Sequence, residues 1–520
     1  MSTHDDHKTG EDDQHLSASR ELLILYATET GTAQKAADRI ARECRRVHFH
    51  CLLTTGWGAE PRAMSSLWNM LLRSDLPNDL FEDMDFCKFC WPAKKLSRRM
   101  QSLGGHEICS RGEGDEQHRM GVDGALDPWI ECLLEVLIQL YPLPHEQDNI
   151  PAGRPPPRVS LSNVASDTSL NPDPLDEDTK FHTASVKCKR RITAEDWFQD
   201  VRHFEYNPGD VAVIHPSAAA SEVDSFPYQT LPDHLPKIVS LRILFTRYLD
   251  FNADEMYDYC ERVKRTTWEV LSEFRFTRIP REYVFDLFPP LRPREFSIAS
   301  SIELHPREIH LCVAIVRYGT KLKIHRKGVC TSYLSGLKLG DTLRIGLRKG
   351  LISLPTDPNT PVVCVGPGTG IAPMRAVIEQ RIYEGHNNTI LYFGCRSAHK
   401  DQHYHTEWEF HAEERKLRYR VACSRDGPEG IKRTYVQDLM KEDAQYIWTM
   451  LGQQRGILII SGSSNKMPTA VREAVRCAVE RFGGRSNAEA VEYVAAIERE
   501  GRLTEECWSR EYSKPVSIKS

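Results

Sequence analysis

Nowhere in these 520 residues does an apolar stretch approach the ~18 uninterrupted residues that a membrane span requires, so no spanning helix is expected. One-sided charge is also missing: 68 basic and 73 acidic residues leave a net charge of -5 spread along the chain. That balance argues against a nucleic-acid groove or a polybasic membrane patch. The opening MSTHDDHKTGEDDQHLSASR has neither the apolar core of a signal peptide nor the Arg-rich, acid-poor character of a transit peptide. Residues 1–20 therefore read as a disordered tail on a cytoplasmic chain. The fifteen cysteines are odd in number and lack the spacing of a disulfide framework. Cys87 and Cys90 form one CxxC, with no second pair at zinc-finger distance. Reduced thiols and no metal are expected.

The length allows about three domains. LLILYA (22–27) reads as a buried strand, followed by a Gly-containing loop and a helix with Ala33, Ala37, Ile40, Ala41 and Cys44 on one face. This opens an α/β domain over 21–141. The Pro cluster at Pro155, Pro156 and Pro157 and the Ser/Asp/Asn/Thr-rich run after it mark a linker over 142–178. From 179 to 355, strand-like segments separated by Gly turns predict a β-barrel, interrupted by a helical insertion over about 231–275. From 356 to 520, the strands PVVCVG, TILYFGC, YRVACS and GILIISG alternate with helices, the pattern of a doubly wound parallel sheet.

In PVVCVGPGTGIAPMR, Gly366, Gly368, Thr369 and Gly370 fall between a strand and a helix, where backbone N–H groups approach a dinucleotide pyrophosphate. Taken alone, the same turn is equally a plain tight turn. Ser424 and Arg425 end the third strand of this region, and Lys432, Arg433 and Tyr435 follow, a donor set suited to the 2'-phosphate of NADPH rather than to a bare ribose. The plain alternative is a solvated basic turn. Upstream, RPREFSIASS places Arg294, Phe296 and Ser297 on a strand, where an aromatic face covers a flavin and Arg and Ser reach its phosphates and N5 edge. A second loop, with Gly328, Val329, Cys330 and Thr331, offers donors for the FAD pyrophosphate. Trp508, in GRLTEECWS, reads by itself as a docking aromatic.

Together RPREFSIASS, GVCTSYL, GPGTGIAPMR, YFGCRS, ACSRDGPEG, RTYVQ and ECWS resemble the diflavin reductase superfamily over the last two thirds of the chain. RITAEDWFQDVRH, LPDHLPKIVSLRILFTRYLDFNA, KGVCTSYL and SSNKMP resemble its soluble NADPH-dependent members of cytosolic iron-sulfur protein assembly, whose acceptor is an anamorsin-type iron-sulfur protein. The resemblance implies that Arg294, Glu295, Phe296, Ser297, Gly328, Val329, Cys330 and Thr331 hold FAD. It further implies that Thr369, Ser424, Arg425, Arg433, Thr434, Tyr435, Val436 and Gln437 hold NADPH, with Trp508 stacked on the flavin. Ser297, Ser461 and Glu506 map onto the hydride path, and Ser461 stands where relatives often carry a thiol.

In the N-terminal third, TETGTAQ (28–34), TTGWG (54–58) and RGEGDEQH (111–118) resemble the FMN loops of a flavodoxin-like domain. The implied FMN residues are Thr28, Glu29, Thr30, Gly31, Thr32, Ala33, Leu53, Thr54, Thr55, Gly56, Asp115 and Glu116. This domain looks abridged. A strand-helix unit of the relatives is missing between Arg46 and Leu52, and SDLPNDLFEDMDFCKFC, between helices over 62–73 and 92–104, holds no run long enough for an interior strand. Shorter gaps fall at 202–206 and 252–256. Three readings follow: a full relay from NADPH through FAD and FMN to the iron-sulfur acceptor, an FAD-only NADPH diaphorase, and an inactive acceptor-docking protein.

Overall fold

Residues 20–28, 32–57, 70, 71, 73, 75–89, 93–112, 123–142, 178–206, 211–217, 247–249, 265–274, 279–288, 291, 293–319, 324–426, 433–463 and 466–508 are described by a computed structural model. The chain divides into two compact units, Met1–Pro156 and Pro157–Ser520. The tail, nearly all of the expected linker, most of the 231–275 insertion, most of the 62–73 helix and the gap at 252–256 lie outside the described residues. None of the described helices is long and apolar enough to cross a membrane.

In the first unit the apolar run forms β1 (Glu21–Thr28), α1 (Thr32–Arg46) follows, and β2 (His50–Trp57) returns parallel to β1 over all eight residues. Ala37, Ile40, Ala41 and Cys44 face inward from α1, the spacing of an amphipathic helix. His48 ends that helix at φ 61, a left-handed residue just past the last turn. Two-residue strands β3 (Asp85–Phe86) and β4 (His106–Glu107) pair in parallel around α2 (Ala93–Gln101). The last helix, α3 (Asp123–Leu140), packs Leu126, Trp129, Ile130, Leu133 and Leu137 into the core that α1 also lines. Among the described residues β1–β2 and β3–β4 are separate two-stranded sheets. Among its described residues the DLFEDMDFCKFC segment thus supplies two residues of strand, too few for an interior position.

The second unit begins with antiparallel strands: β5 (Phe181–Ser185), β6 (Cys188–Arg191), β7 (Val201–Tyr206) and β8 (Val211–Ile214). After the helices α4 (Thr267–Glu273) and α5 (Val284–Leu287) come β9 (Arg294–Ser297), β10 (Ile309–Ala314), β11 (Arg317–Gly319), β12 (His325–Lys327), α6 (Val329–Gly336) and β13 (Thr342–Leu347). Strand orders are β5-β13-β8-β9 and β10-β7-β6. Consecutive β5 and β6 join the two sheets at one end, and an Ile298–Leu311 bridge joins them at the other. Phe204, Tyr206, Ile309, Leu311 and Ile345 fill the space between.

The third sheet is parallel throughout. Its strands are β14 (Val362–Val365), β15 (Thr389–Cys395), β16 (Arg418–Cys423), β17 (Ile457–Ser463) and β18 (Leu503–Trp508), in the order β16-β15-β14-β17-β18. All four residues of β14 are buried, as expected of a central strand covered on both faces. Around it lie α7 (Ile371–Tyr383), α8 (His405–Glu413), α9 (Val436–Glu442), α10 (Ala444–Trp448), α11 (Lys466–Gly483) and α12 (Asn487–Arg499). Strand order reverses between β14 and β17, so the C-terminal ends of these strands form the crevice where doubly wound sheets bind ligands.

Candidate functional site

The turn after β14 reaches that crevice. Gly368 sits at φ 59, and a Cβ on Gly370 would lie 2.2 Å from the Ser461 carbonyl oxygen. Only glycine lets the turn press this closely on β17 while α7 points its N-terminus into the crevice. Thr369 lies between these two glycines.

Across the crevice, β17 and β18 pair Ser461 with Glu506. The Ser297 hydroxyl, at the end of β9, donates to Glu506 Oε1. Burial raises the Glu506 pKa, against the pull of the Ser297 hydrogen bond. Ser461 is fully buried, and its hydroxyl finds no partner among the described residues. A buried hydroxyl without a partner is costly unless a ligand supplies one. The structure thus unites Ser297, Ser461 and Glu506 from three strands. Trp508 ends β18 two residues beyond Glu506.

At the residues expected to hold FAD, the loop at Gly328 is instead a helix. Gly328 is the N-cap of α6, and Val329, Cys330 and Thr331 form its first turn. The reason is local: the Thr331 hydroxyl accepts from Val316 N–H at 3.1 Å and donates to the Gly328 carbonyl at 3.3 Å. Burial pushes the Cys330 thiol up to about 12. Backbone N–H groups of that first turn, rather than these side chains, are what α6 offers a pyrophosphate. A Cβ on Gly328 would lie 2.8 Å from Val316 Cβ. Arg294 opens β9, Glu295 pairs with Arg348 at 2.7 Å, and the Phe296 ring packs against the core between the sheets.

The basic residues gather where β15 and β16 end. Ser424 N–H donates to the Cys395 carbonyl at 3.0 Å, and the Ser424 hydroxyl donates to the same carbonyl at 3.2 Å. Arg425 N–H donates to the Arg396 carbonyl at 3.0 Å. Thr434 N–H reaches the Cys423 carbonyl at 3.3 Å, which returns the chain to the end of β16 beside Ser424. Arg433 and Tyr435 are exposed there, Val436 is buried in the core, and Gln437 lies in the first turn of α9. Lys432 is outside the described residues.

The FMN residues are placed only in part. Thr28 ends β1, and Thr32 and Ala33 begin α1, so the connection across 29–31 leaves a strand end and enters a helix N-terminus, an arrangement suited to phosphate. Leu53, Thr54, Thr55 and Gly56 correct the expected loop: they lie on β2, in register with Ile24, Leu25, Tyr26 and Ala27. With so short a return from α1, the strand runs on until it has paired with all of β1. Glu29, Thr30, Gly31, Asp115 and Glu116 lie outside the described residues.

Sequence reasoning missed the polar network around Arg375. This buried side chain on α7 donates to the Ala299 carbonyl at 2.6 Å and to His310 Nδ1 at 3.1 Å, and it pairs with Glu379 at 2.6 Å and Glu407 at 2.8 Å. A guanidinium only donates, so His310 Nδ1 accepts. Burial lowers the His310 pKa to about 4 and that of His203 to about 2. His305, His310 and Glu379 bring ligand-type atoms within 4.8 Å of one another, and Arg375 contacts two of the three, His310 and Glu379. Arg375 stood in the GIAPMR motif, but nothing local marked it as a tie between the nucleotide sheet and the antiparallel strands.

The crevice and the donor sets around it define a nucleotide-dependent flavoprotein oxidoreductase. An FAD binding domain model matches residues 239–333, and an oxidoreductase NAD-binding domain model matches 364–473. The chain is 34% identical to NADPH-dependent diflavin oxidoreductase 1 of Cryptococcus neoformans, over 94% of this chain and 100% of that protein. Its counterparts in Xenopus laevis, at 33%, and Mus musculus, at 32%, match 94% of this chain and 99% of their own length. The chain belongs to the NADPH-dependent diflavin oxidoreductases. FAD and NADPH are its cofactors, and the family takes FMN as well. The alignments run over 618, 598 and 600 positions, more than the 520 residues here, so the relatives carry segments that this chain lacks.

Proposed function

We propose that this chain carries electrons from NADPH through FAD, and by way of FMN in its first unit, to an iron-sulfur acceptor protein of the anamorsin type in cytosolic iron-sulfur cluster assembly. The observation that carries the reading is the meeting of Ser297, Ser461 and Glu506 at the crevice of the parallel sheet. The resemblance of RITAEDWFQDVRH and SSNKMP to soluble assembly reductases supports the acceptor. We read the antiparallel strands as a barrel with its helical insertion over 231–275, and the first unit as an incomplete flavodoxin-like domain.

Bound FAD would accept two electrons from NADPH as hydride and release them one at a time. Arg294 and the first turn of α6 would hold its phosphates. The turn at Gly368, Thr369 and Gly370, with the N-terminus of α7, would hold the NADPH pyrophosphate, and Ser424, Arg425, Arg433 and Tyr435 its 2'-phosphate. Burial raises the Glu506 pKa, and its Oε1 accepts from the Ser297 hydroxyl.

A second reading, an FAD-only NADPH diaphorase, is favoured by the two separate sheets among the described residues of the first unit. The test is to release the flavins with acid and count FAD and FMN per polypeptide, then compare reduction of ferricyanide with reduction of an isolated iron-sulfur acceptor. Both flavins in equal amount, with turnover of both acceptors, supports the relay. FAD alone, with ferricyanide turnover only, supports the diaphorase.

A further inference from the structure

We propose that Phe198 is a positioning residue for the 2'-phosphate end of NADPH, holding the guanidinium groups of Arg396 and Arg425 over one ring. This rests on the reading of Ser424 and Arg425 as 2'-phosphate ligands.

Phe198 belongs to the loop between β6 and β7, yet its ring, 51% exposed, lies against the nucleotide sheet. Arg396 follows β15, and Arg425 lies two residues past β16. Their guanidinium carbons sit 5.1 and 5.5 Å from the Phe198 centroid, both inside the ~6 Å reach of a cation–π contact. The loop is fastened on both sides. Ala194 N–H donates to the Lys400 carbonyl at 2.9 Å, Arg396 donates to Gln199 Oε1 at 2.7 Å, and Lys400 pairs with Asp196. Within the loop, Arg191 donates to the Trp197 carbonyl at 2.8 Å, and the Trp197 and Phe198 rings stand 4.8 Å apart.

Two guanidinium groups repel each other, and a carboxylate between them would spend their charge. An aromatic face attracts both through its quadrupole and adds no full negative charge. The neighbouring carboxylate, Asp426, is turned to the Ala398 N–H at 3.0 Å and to the Ser397 hydroxyl. A phosphate monoester dianion is the group that two adjacent guanidiniums recognise, and a bare ribose has nothing comparable to offer.

The test uses the full FAD-loaded chain and calorimetric titration with 2',5'-ADP and with 5'-AMP. Phe198→Ala weakens 2',5'-ADP by about 2- to 5-fold, the worth of a partly exposed cation–π contact, and leaves 5'-AMP unchanged. Phe198→Tyr, which keeps the ring, restores wild-type affinity. An unchanged 2',5'-ADP affinity in Phe198→Ala, beside a loss in Arg425→Gln, overturns the proposal and leaves the 2'-phosphate reading standing. No loss in either variant removes both. Equal losses for the two nucleotides, or a Tyr variant as weak as the Ala variant, reduce Phe198 to surface packing and also overturn the proposal.

Discussion

The hydroxyl of Ser297 donates to the carboxylate of Glu506, although 209 positions separate them in the chain. One residue ends a strand of the antiparallel part and the other lies on the last strand of the parallel sheet, so this bond ties the two parts together. Replacing Glu506 with Gln keeps the shape and removes the titration. Flavin reduction by NADPH, followed by stopped-flow absorbance, should slow by about 10²-fold, the lower end of general acid–base effects, with little change in NADPH affinity. A rate within twofold of wild type would remove Glu506 from the hydride path.

Gly370→Ala places a methyl group where the Ser461 carbonyl oxygen is 2.2 Å away, and both are backbone-anchored. The turn must move off β17. A stability loss of about 1–3 kcal/mol in urea titration and a clear rise in the KM for NADPH are expected. Gly340 offers the control for stability: its φ of 85 strains any side chain, but it has open space and lies between α6 and β13, outside the parallel sheet, so Gly340→Ala should spare the KM.

Arg375 is worth more than an ordinary ion pair because its removal strands Glu379, whose side chain is also buried. Arg375→Ala should cost about 3–5 kcal/mol, read as a drop in the urea midpoint. Arg375→Lys should recover little, since one ammonium cannot serve the Ala299 carbonyl, Glu379 and Glu407 in the same plane. Full recovery by Lys would show that charge alone matters there.

His310 gives a pH dependence of definite sign. Its folded pKa, about 4, lies below the unfolded histidine value of about 6.5. Its contribution is whole above pH 6.5, declines as pH falls below that value and is lost once pH passes below the folded pKa. Glu379 and Glu506, whose carboxyls are raised by burial, act in the opposite direction, losing stability as pH rises through their range. Comparing urea midpoints of wild type and His310→Asn between pH 7 and 4 isolates the histidine. The gap should close on acidification, and a constant gap would contradict this.

Several features are legible in the sequence alone. VVCV, TILYFGC and ILIIS are buried parallel strands because nothing polar interrupts them, and the Gly turn after the first of them announced a crevice. Ala37, Ile40, Ala41 and Cys44 gave α1 by spacing alone. Two local readings went astray. GVCTSYLSG is a helix of eight residues, too short for its period to stand out, and its Gly N-cap reads as a loop residue. Thr54, Thr55, Gly56 and Trp57 are strand rather than loop because an eight-residue partner was there to pair with them.

The sequence by itself determined the apolar strands of the parallel sheet, the amphipathic face of α1, where the glycine-lined turn lies, and the cofactor class that its motifs imply. These follow from periodicity and backbone freedom, which act within a few residues. Only the tertiary structure decided that Ser461 stands beside Glu506 with an unpartnered hydroxyl, that Arg375 ties two sheets together, and that Phe198 faces Arg396 and Arg425. Those meetings depend on strand order and register. Hydrogen bonds between distant segments set both, and no local run of side chains encodes them.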